Sequence, residues 1–504
     1  MGSHQERSSR RDHVVVFPFM AKGHTIPLLH LSAALSRRGL GVTFVTTPGN
    51  SDFVCRALLP DPNVTLVLLP FPRVPSLPDG CESTDQLPSH HLYPAFVHAT
   101  KLLSHPFHQA LHRMSQSPAS LPLCVVSDFF LCWTLPVCRH FGVPRLVSHG
   151  MGAFAMALCK GLSVNRTHLA AAAAGEDSFH LPGTPEGLRL LAADVPDTLR
   201  ACDPADPAFQ FVMETEESDV HSWGVLVNSF AELDGDYVAP LEAFYFTPGA
   251  RAWLVGPLCL HRHRRGVGEG PEGHHHPCLE WLDGKPARSV VYVSFGTQAD
   301  VSAEQLDEVA RGLDMSGRDF VLVVRSSSWV PPEGSCRKGL VVRGWAPQEG
   351  ALEHPSTGGF VSHCGWNSVL ESLVSGVPIL AWPMMAEQPL NAKYVVEELG
   401  AGLRVRETAG DVEKEGAALV GRREICEGVE ELMGGGEKGT RTRKRAEQLG
   451  ELARAAVADG GSSQQCLNKL VEELRRVPRV KNATQPQPDV SLEFDSDHNP
   501  LPAC

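Results

Sequence analysis

The sequence predicts an α/β protein made of two doubly wound parallel-sheet domains. The chain has 504 residues, which exceeds one ordinary hydrophobic core and suits two or three domains. Short β-branched runs alternate with helical patterns, as they do where helices join parallel strands. The alternation stops after Gly256-Pro257 and restarts near residue 290, so that the chain divides into two similar halves.

The first half contains the elements of one such sheet. Its predicted strands lie at 13–17, 42–46, 64–69, 123–127, 145–148, 225–228 and 253–255, and its predicted helices lie at 26–38 and 134–140. Gly39 marks the end of the first helix, because glycine commonly follows the last helical residue.

The second half repeats this pattern after a break. Residues 258–277 are rich in Gly, Pro, His and Arg and lack apolar periodicity, which predicts a linker or surface loop. The strands predicted after it lie at 290–294, 320–324, 340–342, 360–362 and 379–382, with helices at 303–313 and 367–375. Residues 441–478 are predicted to be largely helical, and the Pro- and Asp-rich remainder is predicted to be a mobile tail.

The composition excludes several classes of protein. The 45 Lys and Arg residues against 58 Asp and Glu give a net charge of −13, and no long basic run occurs, which argues against a nucleic-acid partner. No stretch approaches the roughly eighteen apolar residues of a membrane span. The 14 cysteines are scattered and form no Cys-x-x-Cys motif, so we expect free thiols in the reducing cytoplasm.

The most specific segment of the chain is Trp345–Gln388. Within it a predicted strand ends just before His363, and a helix follows, so that unpaired N–H groups and a positive helix end face any bound phosphate. Gly365 permits close approach of the backbone, and Ser368 adds a donor. Glu371 lies on the same helix face as Ser368, where a carboxylate can accept hydrogen bonds from ribose hydroxyls.

His24 and Asp128 are the candidate catalytic pair. Each follows a predicted strand at the same edge of a parallel sheet, where ligands bind. A histidine with a pKa near 6.5 suits a general base, and a neighbouring carboxylate can fix its tautomer. From the residues alone, His24 could equally bond the backbone at a helix start, and Asp128 could be a helix N-cap.

The segment Trp345–Gln388 resembles the signature box of the plant family-1 UDP-glycosyltransferases. It has all forty-four positions of the box without insertion or deletion. The matching residues are Trp345, Pro347, Gln348, His354, Gly358, Phe360, His363-Cys364-Gly365-Trp366-Asn367-Ser368, Glu371, Gly376-Val377-Pro378, Pro383 and Gln388. The resemblance extends to Phe17-Pro18, Gly23-His24, Pro27 and Val125–Asp128, and it covers most of residues 12–478.

The resemblance implies a GT-B fold, in which two Rossmann-like domains face a central crevice. It implies an acceptor-binding domain at 1–257, a linker at 258–277, a UDP-sugar-binding domain at 278–462, a helix at 463–478 that packs back toward the N-terminal domain, and a tail at 479–504. The enzyme is then expected to be a cytoplasmic monomer of plant secondary metabolism. It is expected to need no metal and no cofactor besides the UDP-glucose co-substrate.

The resemblance also implies a role for each candidate residue. Trp345 would stack on uracil, and Ala346 and Gln348 would form hydrogen bonds with the edge of the base. The diphosphate would be held by His363, Gly365, Asn367 and Ser368. Glu371 would bind the ribose, and Glu387 and Gln388 would bind the sugar. Gly23 and Thr297 would face the same crevice, and Trp366 would either close the phosphate pocket or only pack. His24 and Asp128 match the catalytic pair of the family.

The implied reaction moves glucose from UDP-glucose to a hydroxyl of a small phenolic, flavonoid or terpenoid acceptor and inverts the anomeric configuration. Gln388 favours glucose, because some galactose-using relatives have His there. The stretch Ser148–Met151 departs from the family pattern, since it lacks a hydroxyl where relatives contact the sugar 6-hydroxyl. We expect the acceptor to lie among loops at 72–93, 150–162 and 192–211.

Two other classes of function are weaker alternatives. A nicotinamide-dependent oxidoreductase is suggested by Gly-x-Gly-x-x-Gly at 268–273 and 434–439, but neither match joins a strand to a helix as such a site requires. A non-catalytic UDP-sugar-binding module would be favoured if His24 or Asp128 were missing, and both are present.

Overall fold

The computed structural model describes residues 12–58, 61–116, 120–261, 276–326, 328–406 and 419–478. The predicted tail, most of the predicted linker and the glycine motif at 268–273 lie outside the described residues. The ends of the linker segment are helical, because Leu258–His261 forms a 3₁₀ turn and a helix begins at Pro277. The second glycine motif, at 434–439, joins two helices and follows no strand.

Two parallel sheets, one in each half of the chain, confirm the predicted α/β class. The strands are β1 (His13–Phe17), β2 (Gly41–Thr46), β3 (Val64–Leu68), β4 (Val125–Asp128), β5 (Arg145–Ser148), β6 (Ser178–Phe179), β7 (Leu190–Leu191), β8 (Gly224–Val227), β9 (Arg251–Leu254), β10 (Val290–Ser294), β11 (Asp319–Val324), β12 (Gly339–Arg343), β13 (Thr357–Ser362), β14 (Ile379–Ala381) and β15 (Gly402–Arg404). The first sheet has the order β3-β2-β1-β4-β5-β8-β9 and the second β12-β11-β10-β13-β14-β15, while β6 and β7 form a small antiparallel pair.

Helices cover the faces of both sheets. They are α1 (Lys22–Ser36), α2 (Pro48–Leu58), α3 (Tyr93–Lys101), α4 (Ser104–Met114), α5 (Thr134–His140), α6 (Ala153–Asn165), α7 (Thr167–Ala174), α8 (Asp197–Arg200), α9 (Pro207–Val220), α10 (Ala231–Asp234), α11 (Val238–Glu242), α12 (Pro277–Asp283), α13 (Ala303–Met315), α14 (Gln348–Glu353), α15 (Trp366–Val374), α16 (Gln388–Lys393), α17 (Arg422–Met433), α18 (Glu437–Val457) and α19 (Ser462–Arg476). Further 3₁₀ turns occur at Thr84–Gln86, His90–Leu92, Ala192–Asp194 and Gly235–Tyr237, and a π-helical turn at Tyr394–Glu398. None of the described helices combines the length and apolar character that a bilayer crossing requires.

The sheets are buried because helices exclude water from both of their faces. In β1 and β10 the apolar residues are essentially inaccessible, as parallel strands are when both faces are covered. The last helix, α19, follows the second half of the chain but packs on the first sheet. Its Leu467, Leu470 and Leu474 share a core cluster with Val14 and Trp253.

The two halves share a core at the floor of the crevice. Trp366 is 2% exposed, and its indole N–H donates a hydrogen bond to the Asn228 carbonyl at 2.8 Å. Phe154 of α6 stacks on Tyr394 with ring centroids 4.3 Å apart. A Cβ on Gly152 would lie 2.7 Å from the Trp366 ring, so only glycine lets α6 approach this closely.

A buried polar cluster supports the wall of the first half. The Lys160 ammonium, on α6, lies 2.7 Å from Asp219 on α9 and also bonds Glu216. His149 contacts the same carboxylate at 2.7 Å. Burial would raise the pKa of Asp219, but the charges and hydrogen bonds of Lys160 and His149 outweigh it and hold that pKa far below its usual range. The Asp219 carboxylate therefore remains ionised at neutral pH.

Replacing Lys160 by Met is expected to destabilise the fold by about 3–5 kcal/mol, because two buried carboxylates would lose their counter-charge. The thermal unfolding midpoint, followed by circular dichroism, measures the loss. Lys438→Met is the matched control, since the Lys438–Glu431 pair is largely exposed, and we expect it to cost at most about 1 kcal/mol. Equal midpoints for the two variants would contradict a stabilising role for the buried pair.

Candidate active site

The topology of the sheets places four chain segments around one crevice. The strand order reverses between β1 and β4 in the first sheet and between β10 and β13 in the second. Ligands of open parallel sheets bind outside the carboxyl ends of the strands at such reversals. A cavity of about 1820 Å³ lies there between the two halves. The segments that follow these four strands supply most of the predicted site residues.

A histidine–aspartate pair stands on the N-terminal side of this cavity. His24 Nδ1 lies 2.8 Å from Asp128 Oδ2, and the Phe130 N–H donates to the other carboxylate oxygen at 3.0 Å. The Asp128 side chain is 1% exposed and the His24 side chain 19%, so the histidine alone reaches the cavity. Because Nδ1 is engaged, Nε2 is the nitrogen available to a substrate.

The environment of His24 raises its pKa above the ordinary value. Burial alone would lower this pKa, but the charge of Asp128, its hydrogen bond and the more distant Glu387 carboxylate outweigh that effect. The ring also packs against Phe19 and Phe130, with centroids 5.7 Å and 5.3 Å away. A base with a raised pKa and a fixed ring is suited to accept a proton near neutral pH.

Helix α1 begins at Lys22, so the prediction that His24 precedes the helix was wrong. The sequence placed the start near residue 26 because Pro27 fits the first turn of a helix. In the structure Pro27 lies farther inside, where it cannot donate to the carbonyl of Gly23. Asn367, at the start of α15, donates to that carbonyl instead at 2.6 Å. A bond between the two halves thus replaces a bond within the helix.

The four residues predicted to contact the nucleoside, Trp345, Ala346, Gln348 and Glu371, all line the cavity. Trp345 is 37% exposed, which leaves its ring accessible as a stacking platform, and Ala346 follows it. The Gln348 side-chain amide donates to Ser368 Oγ at 2.8 Å and to Glu371 Oε2 at 2.7 Å. These hydrogen bonds join the side chains of Gln348, Ser368 and Glu371 beside the start of α15.

The N-terminus of α15 forms the centre of the second half of the site. Its backbone N–H groups face the cavity directly after β13, with Gly365 as the N-cap residue. A Cβ on Gly365 would lie 2.5 Å from His363 Nε2, so glycine at this position lets the His363 ring pack against the start of α15. Burial lowers the pKa of His363 to about 4, so the ring is neutral and acts through hydrogen bonding. Thr297, after β10, lines the same part of the cavity.

Glu387 and Gln388 border the cavity where α16 begins. Burial raises the pKa of Glu387, whose Oε1 accepts a hydrogen bond from Asn391 at 3.2 Å. The Gln388 side-chain oxygen accepts from the backbone N–H groups of Met384 and Met385, which leaves the Gln388 NH₂ group to donate. Ala386 has φ = +53°, a conformation that non-glycine residues rarely adopt outside constrained functional sites.

The structure brings the predicted residues together with two qualifications. All line the single cavity except Asp128, which lies behind His24. The side chain of Trp366 packs in the shared core, so of the two roles left open for it the structure favours packing. In the described ranges, no three His, Cys, Asp or Glu side chains gather to hold a metal ion.

A cluster of phenylalanines also lines the cavity. Phe130 and Phe211 face each other with centroids 5.6 Å apart, and Phe129 lies beside them. Residues 153–162, predicted as part of a loop, belong to α6 instead. The sequence pattern did not reveal this helix, because nearly every residue of α6 is buried and no polar residues recur at the helical period of 3.6 residues.

Sequence reasoning also missed Lys22 and Asn228. The Lys22 ammonium lies 5.0 Å above the centre of the Trp345 ring and 2.8 Å from Asp85. The Asn228 side-chain oxygen accepts the Leu258 N–H at 2.8 Å where the chain leaves the first half. Neither residue carried a signal in the sequence. The conflict of Lys22 with the helix dipole is visible only because α1 begins at Lys22 and not near residue 26.

The chain is similar to known glycosyltransferases along most of its length. Residues 271–416 match the family model described as UDP-glucoronosyl and UDP-glucosyl transferase. The chain is 37% identical to UDP-glycosyltransferase 73B4 of Arabidopsis thaliana and 36% identical to a scopoletin glucosyltransferase of Nicotiana tabacum; each alignment covers 92% of this chain and 98% of the relative. The structure is similar to Glycyrrhiza uralensis UGT73P12 complexed with glycyrrhetinic acid 3-O-monoglucuronide, with a TM-score of 0.79 and 30% identity over 93% of this chain and 96% of that one.

Asp128→Asn is expected to lower the pKa of His24, because the carboxylate charge that outweighs burial would be gone. A decrease of roughly one unit or more is expected. Titration of ¹³C-labelled histidines by NMR measures the change, with the His24 signal assigned from His24→Gln. His261, whose pKa burial lowers to about 4, serves as an internal control that should not move. An unchanged His24 pKa would show that Asp128 does not control its charge.

Proposed function

Because the chain belongs to the plant UDP-glycosyltransferase family, we propose that it transfers glucose from UDP-glucose to a hydroxyl of a small acceptor with inversion of configuration. The observation that carries this proposal is that the His24–Asp128 pair and the N-terminus of α15 border one cavity. A base and a phosphate-binding helix end are the two components that such a transfer requires.

The nucleotide is proposed to lie along the start of α15. Uracil stacks on Trp345, and the backbone of Ala346 with Gln348 meets the base edge. Glu371 accepts hydrogen bonds from the ribose hydroxyls, since Gln348 already orients its carboxylate toward that end of the cavity. Charged hydrogen bonds of this kind are stronger than neutral ones.

The diphosphate is proposed to lie at the N-terminus of α15. Its oxygens meet the backbone N–H groups after Gly365 and the side chains of His363, Asn367 and Ser368. These groups and the helix dipole favour a bound anion. We propose that they, and no metal ion, stabilise the charge of the diphosphate.

The sugar is proposed to be glucose held by Glu387 and Gln388. The NH₂ group of Gln388 can donate to a sugar hydroxyl, because the side-chain oxygen is already used by the backbone. The Glu387 carboxylate can accept hydrogen bonds from sugar hydroxyls, and the Asn391 side chain orients it. The scopoletin glucosyltransferase among the relatives supports glucose as the sugar.

In the proposed reaction, the acceptor oxygen attacks the anomeric carbon while its proton moves to His24 Nε2. The bond between that carbon and the phosphate oxygen breaks, and its electron pair leaves with UDP. Asp128 stabilises the imidazolium that forms. Direct displacement converts an α-linked donor into a β-glycoside without an enzyme-bound intermediate.

The acceptor is proposed to be a small molecule with an apolar body and a reactive hydroxyl. Phe129, Phe130 and Phe211 form an aromatic wall beside His24, which favours flat or ring-containing compounds. Two of the similar proteins support an acceptor of this kind: one is named for scopoletin, and the other is complexed with glycyrrhetinic acid 3-O-monoglucuronide.

We also propose that the enzyme works as a monomer in the cytoplasm. Every residue assigned above comes from one chain, so the site needs no second copy. The described cysteines are free thiols, which suits a reducing compartment.

Calorimetry is expected to show binding of UDP-glucose in preference to UDP-galactose and no binding of NAD. Glu371→Ala should weaken UDP-glucose binding roughly ten- to a hundredfold, because a charged hydrogen bond to the ribose is lost. Glu353→Ala, in the same cavity but without an assigned contact to the donor, is the matched control. Folded wild-type protein that binds no UDP-sugar would refute the proposed function.

His24→Ala is expected to lower turnover of a phenolic acceptor by roughly a hundred- to ten-thousandfold, because the general base is lost. Donor affinity should stay within about twofold of the wild type, since no donor contact is assigned to the imidazole. Product formation measured by chromatography and donor binding measured by calorimetry separate the two effects. Turnover close to that of the wild type would exclude His24 as the base.

A further inference from the structure

Lys22 occupies a position that its helix alone does not favour. It is the first residue of α1, and the first turn contains no acidic residue. A positive side chain at the N-terminus of a helix is repelled by the helix dipole, and such a local conflict commonly marks a functional position.

The surroundings hold the Lys22 ammonium in the cavity. It lies 2.8 Å from Asp85 and 5.0 Å from the centre of the Trp345 ring, which belongs to the other half of the chain. Burial would raise the pKa of Asp85, but the Lys22 ammonium and the Ser83 hydroxyl outweigh it and lower that pKa. An ammonium has three N–H donors, so the contact with Asp85 leaves others for a ligand.

Two helix N-termini meet beside this ammonium. The first turn of α1 faces the first turn of α15, and the Gly23–Asn367 hydrogen bond of 2.6 Å joins them. Each helix end carries a partial positive charge, and Lys22 adds a full one next to them. Asp85 balances part of this positive charge, and the remainder would attract an anion that binds between the two helix ends.

We propose that Lys22 binds the diphosphate of the nucleotide from the acceptor-binding half of the chain. This inference rests on the proposed function, because it assigns the anion to the same UDP-sugar. Lys22 is then a binding residue in addition to those of α15. Its ammonium contacts the diphosphate and also lies near the Trp345 ring. Cleavage of the sugar–phosphate bond leaves the terminal phosphate of UDP more negative than it is in UDP-glucose. The ammonium therefore stabilises the leaving group more than the bound donor.

A purely structural role for Lys22 predicts a different pattern. If the ammonium acted only by orienting the Trp345 ring, its loss would weaken uridine and UDP equally, because both carry uracil. If it binds the diphosphate, its loss weakens UDP, weakens UDP-glucose less, and leaves uridine unchanged. The phosphate-free nucleoside therefore separates the two roles.

The test is calorimetry of Lys22→Met, Lys22→Arg and Lys101→Met with UDP, UDP-glucose and uridine. Lys101→Met is the matched control, because Lys101 lines the same cavity, has a similar exposure of 35% and is also paired with a carboxylate, Glu214. Lys22→Met should weaken UDP binding roughly tenfold. Lys22→Arg should restore most of the affinity, and Lys101→Met should change it by less than about twofold.

Three results would overturn the inference. One is unchanged UDP affinity in Lys22→Met, and another is an equal loss for uridine and UDP. The third is an equal loss in Lys101→Met, which would indicate a general effect of charge on the cavity. Retained uridine binding shows that the variant is folded. Absence of UDP binding in the wild type would refute the proposed function itself, and with it this role of Lys22.

Discussion

The hydrogen bond between Asn367 and the Gly23 carbonyl connects the two halves of the site. It exists because Pro27 has no N–H with which to complete the first turn of α1, so that the Gly23 carbonyl is left for a donor from outside the helix. Asn367 supplies that donor from the first turn of α15. The bond sets how closely the two helix ends approach, and it thereby places His24, the next residue along α1, beside the N-terminus of α15.

The sheets explain why so many separate residues meet at this point. Both sheets reverse their strand order next to their first strand, and at each reversal the two adjacent loops open toward the crevice. β1 and β4 provide His24 and Asp128, while β10 and β13 provide Thr297 and His363. Beneath them, the buried indole of Trp366 donates a hydrogen bond to the Asn228 carbonyl, and a hydrophobic core joins the two halves of the chain.

The sequence was sufficient for the fold class and for a set of residues that gather around one cavity, but it did not show contacts between distant segments. Parallel strands end at one edge, so the proximity of His24 and Asp128 followed from their positions after two strands. The resemblance of Trp345–Gln388 to the signature box of the family predicted which residues bind the donor. In contrast, the predicted start of α1 was too late. Proline is favoured in the first turn of a helix, but Pro27 lies farther inside α1. α6 was missed because burial on all sides removes the polar face that reveals a helix.

The proposed donor site is therefore not confined to the second half of the chain. The family model matches residues 271–416, within the second half, and most of the side chains proposed to bind the nucleotide come from that part. However, α1 of the first half meets α15 through the Gly23–Asn367 hydrogen bond and places Lys22 over Trp345. A donor bound as proposed would contact groups from both halves, and His24, the proposed base, lies in the same helix turn as Lys22. Binding of the donor and positioning of the base would thus be linked through one turn of α1.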